Sequence, residues 1–387
     1  MIICQVNLKT IRQNIEQIKK RLAEQAKFCL VVKSNAYGHG LIEVSRVVEP
    51  LVDYLAVFEV GEGLELRANN IKQPILILGA ALGTAEINQA IENNLTLSIY
   101  HLGQARDISA AAIRRGRPAI AHLTIDSGLH REGILASNVI DREKAKAEIK
   151  EIGDLPAINL EGVWSHLSRP SDLDYSQWQI ANFQDLLFLL QGIKIEFPLR
   201  HLAASEAFFY LPKSYLEMIR IGSAAYGIID WPLRTANESV RRLAKEIIPQ
   251  FPAALNLMAK IVGVKTVPPG SYIGYGEAHQ VRRKTRLALL PVGYGDGLWR
   301  EMSGQIEVLI AGRRYKSIGK ISMNQMMVDI TSMPTDQLDR IIGREAVLLG
   351  GQGDEIIKPQ DWAKIVNTNS REITVKIPQS VKREYII

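Results

Sequence analysis

Residues 28 to 40 read FCLVVKSNAYGHG, and this stretch decides the fold. A short β-branched run that ends before a polar stretch with glycines predicts a buried strand entering a flexible loop. Lys33 lies at the junction, where partial burial disfavours the ammonium form and leaves the amine as a nucleophile. Most lysines at strand ends are merely solvated, so the rest of the chain has to decide whether Lys33 takes part in chemistry.

The composition is that of an ordinary globular protein. The 387 residues are 47% hydrophobic and 23% charged, and the length suits two domains. The only cysteines are Cys4 and Cys29, a usage that predicts no disulfide framework and no cysteine metal site and favours a reducing, cytoplasmic compartment. The net charge of +6 is scattered along the chain, so nucleic acid is not an expected partner. No stretch reaches the roughly 18 apolar residues of a membrane span.

Apolar runs recur along the first 230 residues, and segments of helical length separate most of them. The runs lie at 28–32, 54–58, 75–78, 95–100, 120–125, 158–164, 199–203 and 218–221. This alternation predicts an α/β fold, with a TIM-like (β/α)8 barrel over residues 1–235. A doubly wound sheet has the same periodicity and stays open as an alternative. Asn7 is expected to cap the first helix.

The second part of the chain, residues 236–387, is expected to form a mostly β domain. Strand patterns at 259–267, 285–292, 307–310, 326–330 and 346–349 are separated by turn signals. One helix is predicted at 360–366. Residues 231–251 are interpreted as the connector between the two domains.

Chemically capable side chains follow several of the predicted barrel strands. The carboxyl ends of barrel strands meet on one face, where the active site of such a fold lies. The groups expected there are Lys33, Asp126, Arg131, His166, Ser205, Arg220, Gly222 and Ser223. Each alone has an ordinary explanation, such as a surface ion pair for an arginine. Their common position favours a site, and a lysine beside a phosphate cradle suggests pyridoxal phosphate.

These segments resemble the alanine racemase family, a fold-type III group of pyridoxal phosphate enzymes. Residues 32–40 are similar to the family's cofactor-lysine signature nearly residue for residue, and the resemblance continues collinearly through 126–131, 218–227, 274–276, 291–297 and 319–325. The resemblance implies a homodimeric racemase that interconverts L-alanine and D-alanine by a two-base mechanism. Such an enzyme supplies D-alanine for peptidoglycan.

The resemblance also implies a role for each matching residue. Lys33 would hold the cofactor and exchange the α-proton on one face, while Tyr275 of the partner subunit would serve the other face. Arg220 would face the pyridine nitrogen, and His166 would link it to Tyr275. Arg131 would bond the phenolic oxygen of the cofactor and contact the substrate. The other implied residues are Tyr37, Ser205, Gly222 and Ser223 at the phosphate, His201 near the ring, and Tyr294 and Met323 in the substrate pocket.

The chain departs from the family pattern at positions near the site. Thr124 stands where many members carry a lysine, often carbamylated, that orients the cofactor-binding arginine. Arg131 would then rely on a bound anion, on Asp126 or on water. Asn324 replaces an acidic residue near the entrance, and Arg371 replaces a tyrosine and would either bind phosphate or alter the pocket.

These departures keep other functions open. The altered pocket residues motivate a serine or broad-specificity racemase with the same mechanism. A non-catalytic pyridoxal phosphate carrier is a second alternative, although such a carrier needs no second base like Tyr275. A decarboxylase of the same fold type is disfavoured by Arg220, because those enzymes generally place a carboxylate against the ring nitrogen.

Overall fold

The computed structural model describes residues 2–22, 25–230, 238–277, 279–338 and 340–387. The strands and helices up to residue 230 are β1 (Ile2–Asn7), α1 (Leu8–Lys19), β2 (Lys27–Val31), α2 (Lys33–Tyr37), α3 (Leu41–Val48), β3 (Tyr54–Val57), α4 (Val60–Ala68), β4 (Ile75–Ile77), α5 (Gly83–Glu92), β5 (Leu95–Ile99), α6 (Leu102–Arg115), β6 (Ala119–Asp126), β7 (Ile134–Leu135), α7 (Val139–Gly153), β8 (Ile158–Trp164), α8 (Leu173–Gln191), β9 (Leu199–His201), α9 (Ser205–Tyr210) and β10 (Met218–Ile221).

The elements after residue 237 are mostly strands. They are α10 (Glu238–Ile247), β11 (Leu255–Lys260), β12 (Gly263–Val267), β13 (Thr285–Leu290), β14 (Glu307–Ile310), β15 (Arg313–Ile318), β16 (Met326–Asp329), α11 (Thr335–Leu338), β17 (Glu345–Gln352), β18 (Glu355–Ile357), α12 (Pro359–Ile365), α13 (Ser370–Val375) and β19 (Lys382–Ile386).

The first part of the chain folds into the predicted barrel. Parallel strands pair in the order β10-β2-β3-β4-β5-β6-β8-β9. The backbone N–H of Arg220 donates to the carbonyl of Ala203 at 3.0 Å, which links the end of β9 to β10 and nearly closes the ring. Each predicted apolar run from 28–32 to 218–221 overlaps one of these strands. The doubly wound alternative is therefore wrong.

The helix α1 shows how the local sequence builds the outer layer. The side chain of Asn7 accepts a hydrogen bond from the N–H of Thr10 at 2.9 Å, so the predicted cap is confirmed. Residues Leu8, Ile11, Ile15 and Ile18, at helical spacing, are all buried. The apolar stripe of the helix packs inward, as amphipathic helices do around a barrel.

The second part of the chain forms the predicted mostly β domain, with strands in the order β12-β13-β16-β15-β14-β17-β11-β1-β19. The single strand expected at 259–267 is wrong, because Ile261 and Val262 separate β11 from β12. The strands β1, β15, β18 and β19 and the helices α11 and α13 were not predicted from the sequence. The short strands β1 and β19 are held by long-range pairing.

The strand β1 pairs with β11 and β19, so residues 2–7 add to the second sheet instead of the barrel to which the range 1–235 assigned them. The predicted limit between residues 235 and 236, and the first part of the expected connector, lie outside the described residues. The described remainder of that connector includes α10. Among the described residues, no helix is long and apolar enough to cross a membrane.

Candidate active site

Lys33 begins a left-handed turn, which corrects the expectation of a flexible loop. Residues 34–37 have φ values between 50° and 55°. Left-handed backbone costs L-residues about 1–2 kcal/mol each, so the surroundings must hold the turn in place. One restraint is a hydrogen bond of 2.6 Å from the N–H of Ser34 to the carboxylate of Glu62.

The carboxyl-terminal segment of the chain packs against this turn. Gly38 has a φ of +87°, and a Cβ there would lie 2.2 Å from the carbonyl oxygen of Thr374. A Cβ at Gly40 would lie 2.1 Å from the hydroxyl oxygen of Tyr385. The guanidinium of Arg383 donates to the carbonyl of Gly38 at 3.1 Å. The second domain therefore fixes the segment that carries Lys33.

The amine of Lys33 lies in partly apolar surroundings at the barrel mouth. Its Nζ is 5.1 Å from the centre of the Phe58 ring. Burial, followed by the positive charge of Arg131, lowers the pKa of Lys33 below its usual value. The neutral, nucleophilic form is thus more populated than in a solvated lysine.

Arg220, on the last barrel strand, is a buried cation with fixed hydrogen bonds. It is 3% exposed, and its Nη1 donates to Nδ1 of His201 at 2.6 Å. Its Nη2 donates to the carbonyl of Ser165 at 2.7 Å and lies 3.4 Å from Nδ1 of His166. The guanidinium also lies over the ring of Trp164, 4.8 Å from the centre. Burial lowers the pKa of Arg220 to about 10, which leaves it charged at neutral pH.

A buried chain of polar side chains continues from Arg220 into the barrel. Nε2 of His201 is 2.9 Å from Nδ1 of His122, whose Nε2 is 3.2 Å from the carboxylate of Glu161. The hydroxyl of Tyr54 donates to the same carboxylate. The sequence analysis missed His122, Glu161 and Tyr54. A signal was present, because a histidine and a glutamate stand inside the predicted strands at 120–125 and 158–164.

His166 is neutral in the folded protein. Burial, followed by the charge of Arg220, lowers its pKa to about 3. Because an arginine can only donate, Nδ1 of His166 is the acceptor and the ring carries its proton on Nε2. His166 therefore has one N–H to offer on the side away from Arg220.

Ser205, Gly222 and Tyr37 form a small cradle. The hydroxyl of Ser205 accepts from the N–H of Gly222 at 2.9 Å and from the N–H of Ala224 at 3.4 Å. A Cβ at Gly222 would lie 2.4 Å from the hydroxyl oxygen of Tyr37. Only glycine therefore leaves room here, and the cradle offers the hydroxyls and backbone N–H groups that suit a phosphate.

Arg371 reaches the same cradle from the second domain. A cavity there is lined by Ser205, Glu206, Phe209, Ser223, Ala224, Ile229, Asp230 and Arg371. The carboxylate of Asp230 accepts the N–H of Ser370 at 2.5 Å and so holds the start of α13 against the barrel. Burial raises the pKa of the Tyr37 hydroxyl, and the charge of Arg371 acts in the opposite direction. The departure at position 371 thus places a cation at the cradle.

Arg131 lies on the loop after β6, which the carboxylate of Asp126 organises. That carboxylate accepts the backbone N–H groups of Gly128, His130 and Arg131, each at 2.9 Å. The guanidinium of Arg131 bonds instead to the carboxylate of Glu132. Asp126 therefore holds the backbone of Arg131 and not its side chain.

Tyr275 lies on the surface of the second domain, on the segment between β12 and β13. Tyr275 is 67% exposed, while Ile273, two residues before it, is 3% exposed and anchors the segment. Tyr294 and Met323 are exposed on the same domain. Their segments are joined by a hydrogen bond of 2.8 Å from the N–H of Gly295 to the carbonyl of Met323.

The residues expected at the site thus fall into two groups. Those at the mouth of the barrel are Lys33, Tyr37, Arg131, His166, His201, Ser205, Arg220, Gly222 and Ser223. Those exposed on the second domain are Tyr275, Tyr294 and Met323.

Comparisons with known proteins agree along the whole chain. The family model described as "Alanine racemase, N-terminal domain" matches residues 6–230, and the one described as "Alanine racemase, C-terminal domain" matches residues 254–385. A relative named alanine racemase 2 from Caldanaerobacter subterraneus subsp. tengcongensis is 36% identical, with 99% of this chain and 94% of the relative covered. Alanine racemase from Desulforamulus reducens is 33% identical over 100% of this chain and 99% of its own length.

A solved structure agrees with the sequence comparisons. Alanine racemase from Clostridium difficile 630 is similar with a TM-score of 0.87 and 32% identity, covering 99% of this chain and 95% of that chain. The similarity spans both the barrel and the second domain. The chain therefore belongs to the alanine racemase family.

Proposed function

We propose that this chain is a pyridoxal 5′-phosphate-dependent racemase that interconverts L-alanine and D-alanine. The observation that carries the proposal is the pairing of Lys33, whose pKa is lowered, with the buried cation Arg220 at one barrel mouth. The family to which the chain belongs supports the same activity.

The residues at the mouth fit the cofactor. The glycine at 222 leaves a hollow beside Tyr37, Ser205 offers a hydroxyl, and Arg371 supplies a cation, a donor set that suits a phosphate. Lys33 would bind the aldehyde carbon. When bound, this cofactor stabilises the negative charge left on the α-carbon of an amino acid after its proton is removed.

Arg220 favours racemisation over other reactions of the same cofactor. An arginine facing the pyridine nitrogen of a bound cofactor would not give up its proton, so the ring nitrogen would stay unprotonated. A weaker electron sink discourages side reactions such as transamination. The hydrogen bond of Arg220 to His201 holds the guanidinium in place for this role.

Two bases on opposite faces require a partner subunit. Lys33 would exchange the α-proton on one face, and Tyr275 would serve the other. In one chain Tyr275 is 67% exposed, and Tyr272, Tyr294 and Met323 are also exposed on the same domain. Large exposed apolar side chains of this kind are typical of an interface. We infer a homodimer in which Tyr275 reaches the partner's barrel mouth, where the N–H of His166 would orient its hydroxyl.

Exchange of the α-proton tests the proposal. Purified protein with pyridoxal phosphate is incubated in deuterated water with L-alanine or L-serine, while α-deuterium is followed by NMR and chirality by optical rotation. We expect deuterium incorporation and racemisation with alanine, and much slower exchange with serine. Equal rates would favour a broad-specificity racemase. A protein that binds the cofactor yet exchanges no amino acid would contradict the racemase and support the carrier.

A further inference from the structure

Glu132 is a carboxylate inside the barrel mouth that the sequence analysis did not single out. Its side chain is 17% exposed, whereas the guanidinium of Arg131 beside it is on a side chain that is 55% exposed. Nη2 of Arg131 donates to Oε1 of Glu132 at 2.5 Å. The negative charge of Glu132 also acts on Lys33 and Arg220 and partly offsets the lowering of the pKa of each by burial. A largely buried carboxylate therefore stands among three cations of the site.

Asp126, the residue that the sequence offered as a partner for Arg131, has its carboxylate occupied by other hydrogen bonds. All the hydrogen bonds of the Asp126 carboxylate described above go to backbone N–H groups of the loop. Glu132 is the group that meets the guanidinium. Glu132 is more buried than Arg131, so its carboxylate has less freedom to move. The hydrogen bond to this carboxylate therefore restricts the position of the more flexible arginine side chain.

The loop that carries Arg131 and Glu132 packs against β6 at Thr124. The strand β7 pairs with the end of β6, and a Cβ at Gly133 would lie 2.6 Å from the carbonyl oxygen of Thr124. Thr124 is 1% exposed, and its hydroxyl is buried without a hydrogen-bond partner. Position 124 therefore supplies no charge to Arg131, and the adjacent loop supplies one through Glu132.

We infer that Glu132 is a positioning residue that holds the guanidinium of Arg131 toward the cofactor, in the role that a carbamylated lysine at position 124 plays in many family members. The inference rests on the proposed function, in which Arg131 bonds the phenolic oxygen of the cofactor. Glu132 itself touches neither cofactor nor substrate in this role.

The test compares Glu132→Gln, Glu132→Ala and the control Thr124→Val. The readouts are the dissociation constant of pyridoxal phosphate for the apoprotein and the pH titration of the bound cofactor's visible absorbance. We expect both Glu132 variants to weaken cofactor binding by about tenfold to a hundredfold, the range for a lost charged hydrogen bond. The absorbance titration should shift in both variants, and Thr124→Val should bind as the unmodified protein does.

Rescue by a small anion separates positioning from folding. Formate should restore cofactor binding to Glu132→Ala, in which the truncated side chain leaves space for it, and not to the isosteric Glu132→Gln. A Glu132→Gln protein that binds cofactor with unchanged affinity and absorbance would overturn the inference, as would failure of formate to restore a folded Glu132→Ala protein. Because these readouts need no turnover, they stay informative if the unmodified protein binds the cofactor but racemises nothing.

Discussion

His122 and His201 hydrogen bond to each other inside the barrel, Nδ1 to Nε2 at 2.9 Å, and both rings are buried. The positions of their ring protons follow from Arg220 and Glu161, the two residues at the ends of this series of hydrogen bonds. Arg220 only donates, so Nδ1 of His201 accepts and its Nε2 carries the proton. His122 then accepts at Nδ1 and donates from Nε2 to Glu161. Every hydrogen bond thus points from the guanidinium toward the carboxylate.

This direction predicts that both histidines are Nε2–H tautomers. Long-range ¹H–¹⁵N NMR spectra of protein with labelled histidine should show this state at neutral pH, because burial is the largest cause that lowers the pKa of each ring. Glu161→Gln, which keeps an acceptor, should preserve the tautomers. Glu161→Leu should cost about 1–3 kcal/mol of unfolding free energy, because the N–H of His122 loses its partner. An Nδ1–H signal from His122 in the unmodified protein would contradict the assignment.

Acid should destabilise the protein through its buried histidines. Burial lowers the pKa of His39 to about 4 and of His166 to about 3, and it also lowers the values of His122 and His201. An unfolded histidine titrates near 6.5. The unfolded state therefore binds more protons below that pH, and stability is full above about 6.5 and falls as the pH drops toward the folded values.

The slope of this loss can be measured by urea unfolding of the apoprotein between pH 6.5 and pH 5. Each buried histidine should contribute at most about 1.4 kcal/mol per pH unit, and about half of that at pH 6.5. His39→Gln should reduce the slope by that amount. Identical slopes for the His39 variant and the unmodified protein would argue against the assignment.

Gly38 should tolerate no side chain. Its φ is +87°, and a Cβ would meet the carbonyl of Thr374 at 2.2 Å. Gly83 is a matched control, because its φ is +72° and a Cβ there would meet nothing within 4 Å. Gly83→Ala should cost about 1 kcal/mol, from strain alone, whereas Gly38→Ala should cost about 3 kcal/mol or more and loosen the carboxyl-terminal segment. Chemical denaturation of the two variants measures both values, and equal losses would show that the contact with Thr374 is unimportant.

Tyr275→Phe should lower the rate of racemisation by about 10²–10⁴-fold while cofactor binding changes little, because a general base is lost. Tyr272→Phe is the control, since Tyr272 lies on the same segment and is 52% exposed.

A mixture of Tyr275→Phe and Lys33→Ala proteins, unfolded and refolded together, should regain about a quarter of the activity. Half of the dimers are then mixed, and each mixed dimer has one intact site. No recovery would contradict a site shared between subunits.

Arg371 should contribute to phosphate binding. Arg371→Ala should weaken the binding of pyridoxal phosphate by about tenfold or more, because a charge-assisted hydrogen bond to the phosphate is lost. Pyridoxal, which lacks the phosphate, is the control ligand and should bind the variant and the unmodified protein alike. Equal weakening for both ligands, measured by fluorescence titration, would assign Arg371 to the pocket and not to the phosphate.

Periodicity and residue type alone determined the alternation of strands and helices and most of the residues at the barrel mouth. Buried parallel strands leave continuous apolar runs, and catalytic groups follow their carboxyl ends, so Lys33, His166 and Arg220 could be predicted from position. The left-handed turn after Lys33 could not be predicted in this way. Its residues are of mixed type, and contacts with Glu62 of the barrel and with the second domain hold the turn in that conformation.

Tertiary structure alone decided which side chains meet. His122 and His201 are 79 residues apart in sequence, and Asp230 and Ser370 are 140 apart. Arg131 and Glu132 are adjacent in sequence, but only the folded loop shows that the Asp126 carboxylate bonds to the backbone and that Glu132 bonds to the guanidinium. A sequence pattern reports burial and periodicity one segment at a time. Hydrogen bonds between distant strands depend on how the barrel closes, which no single segment encodes.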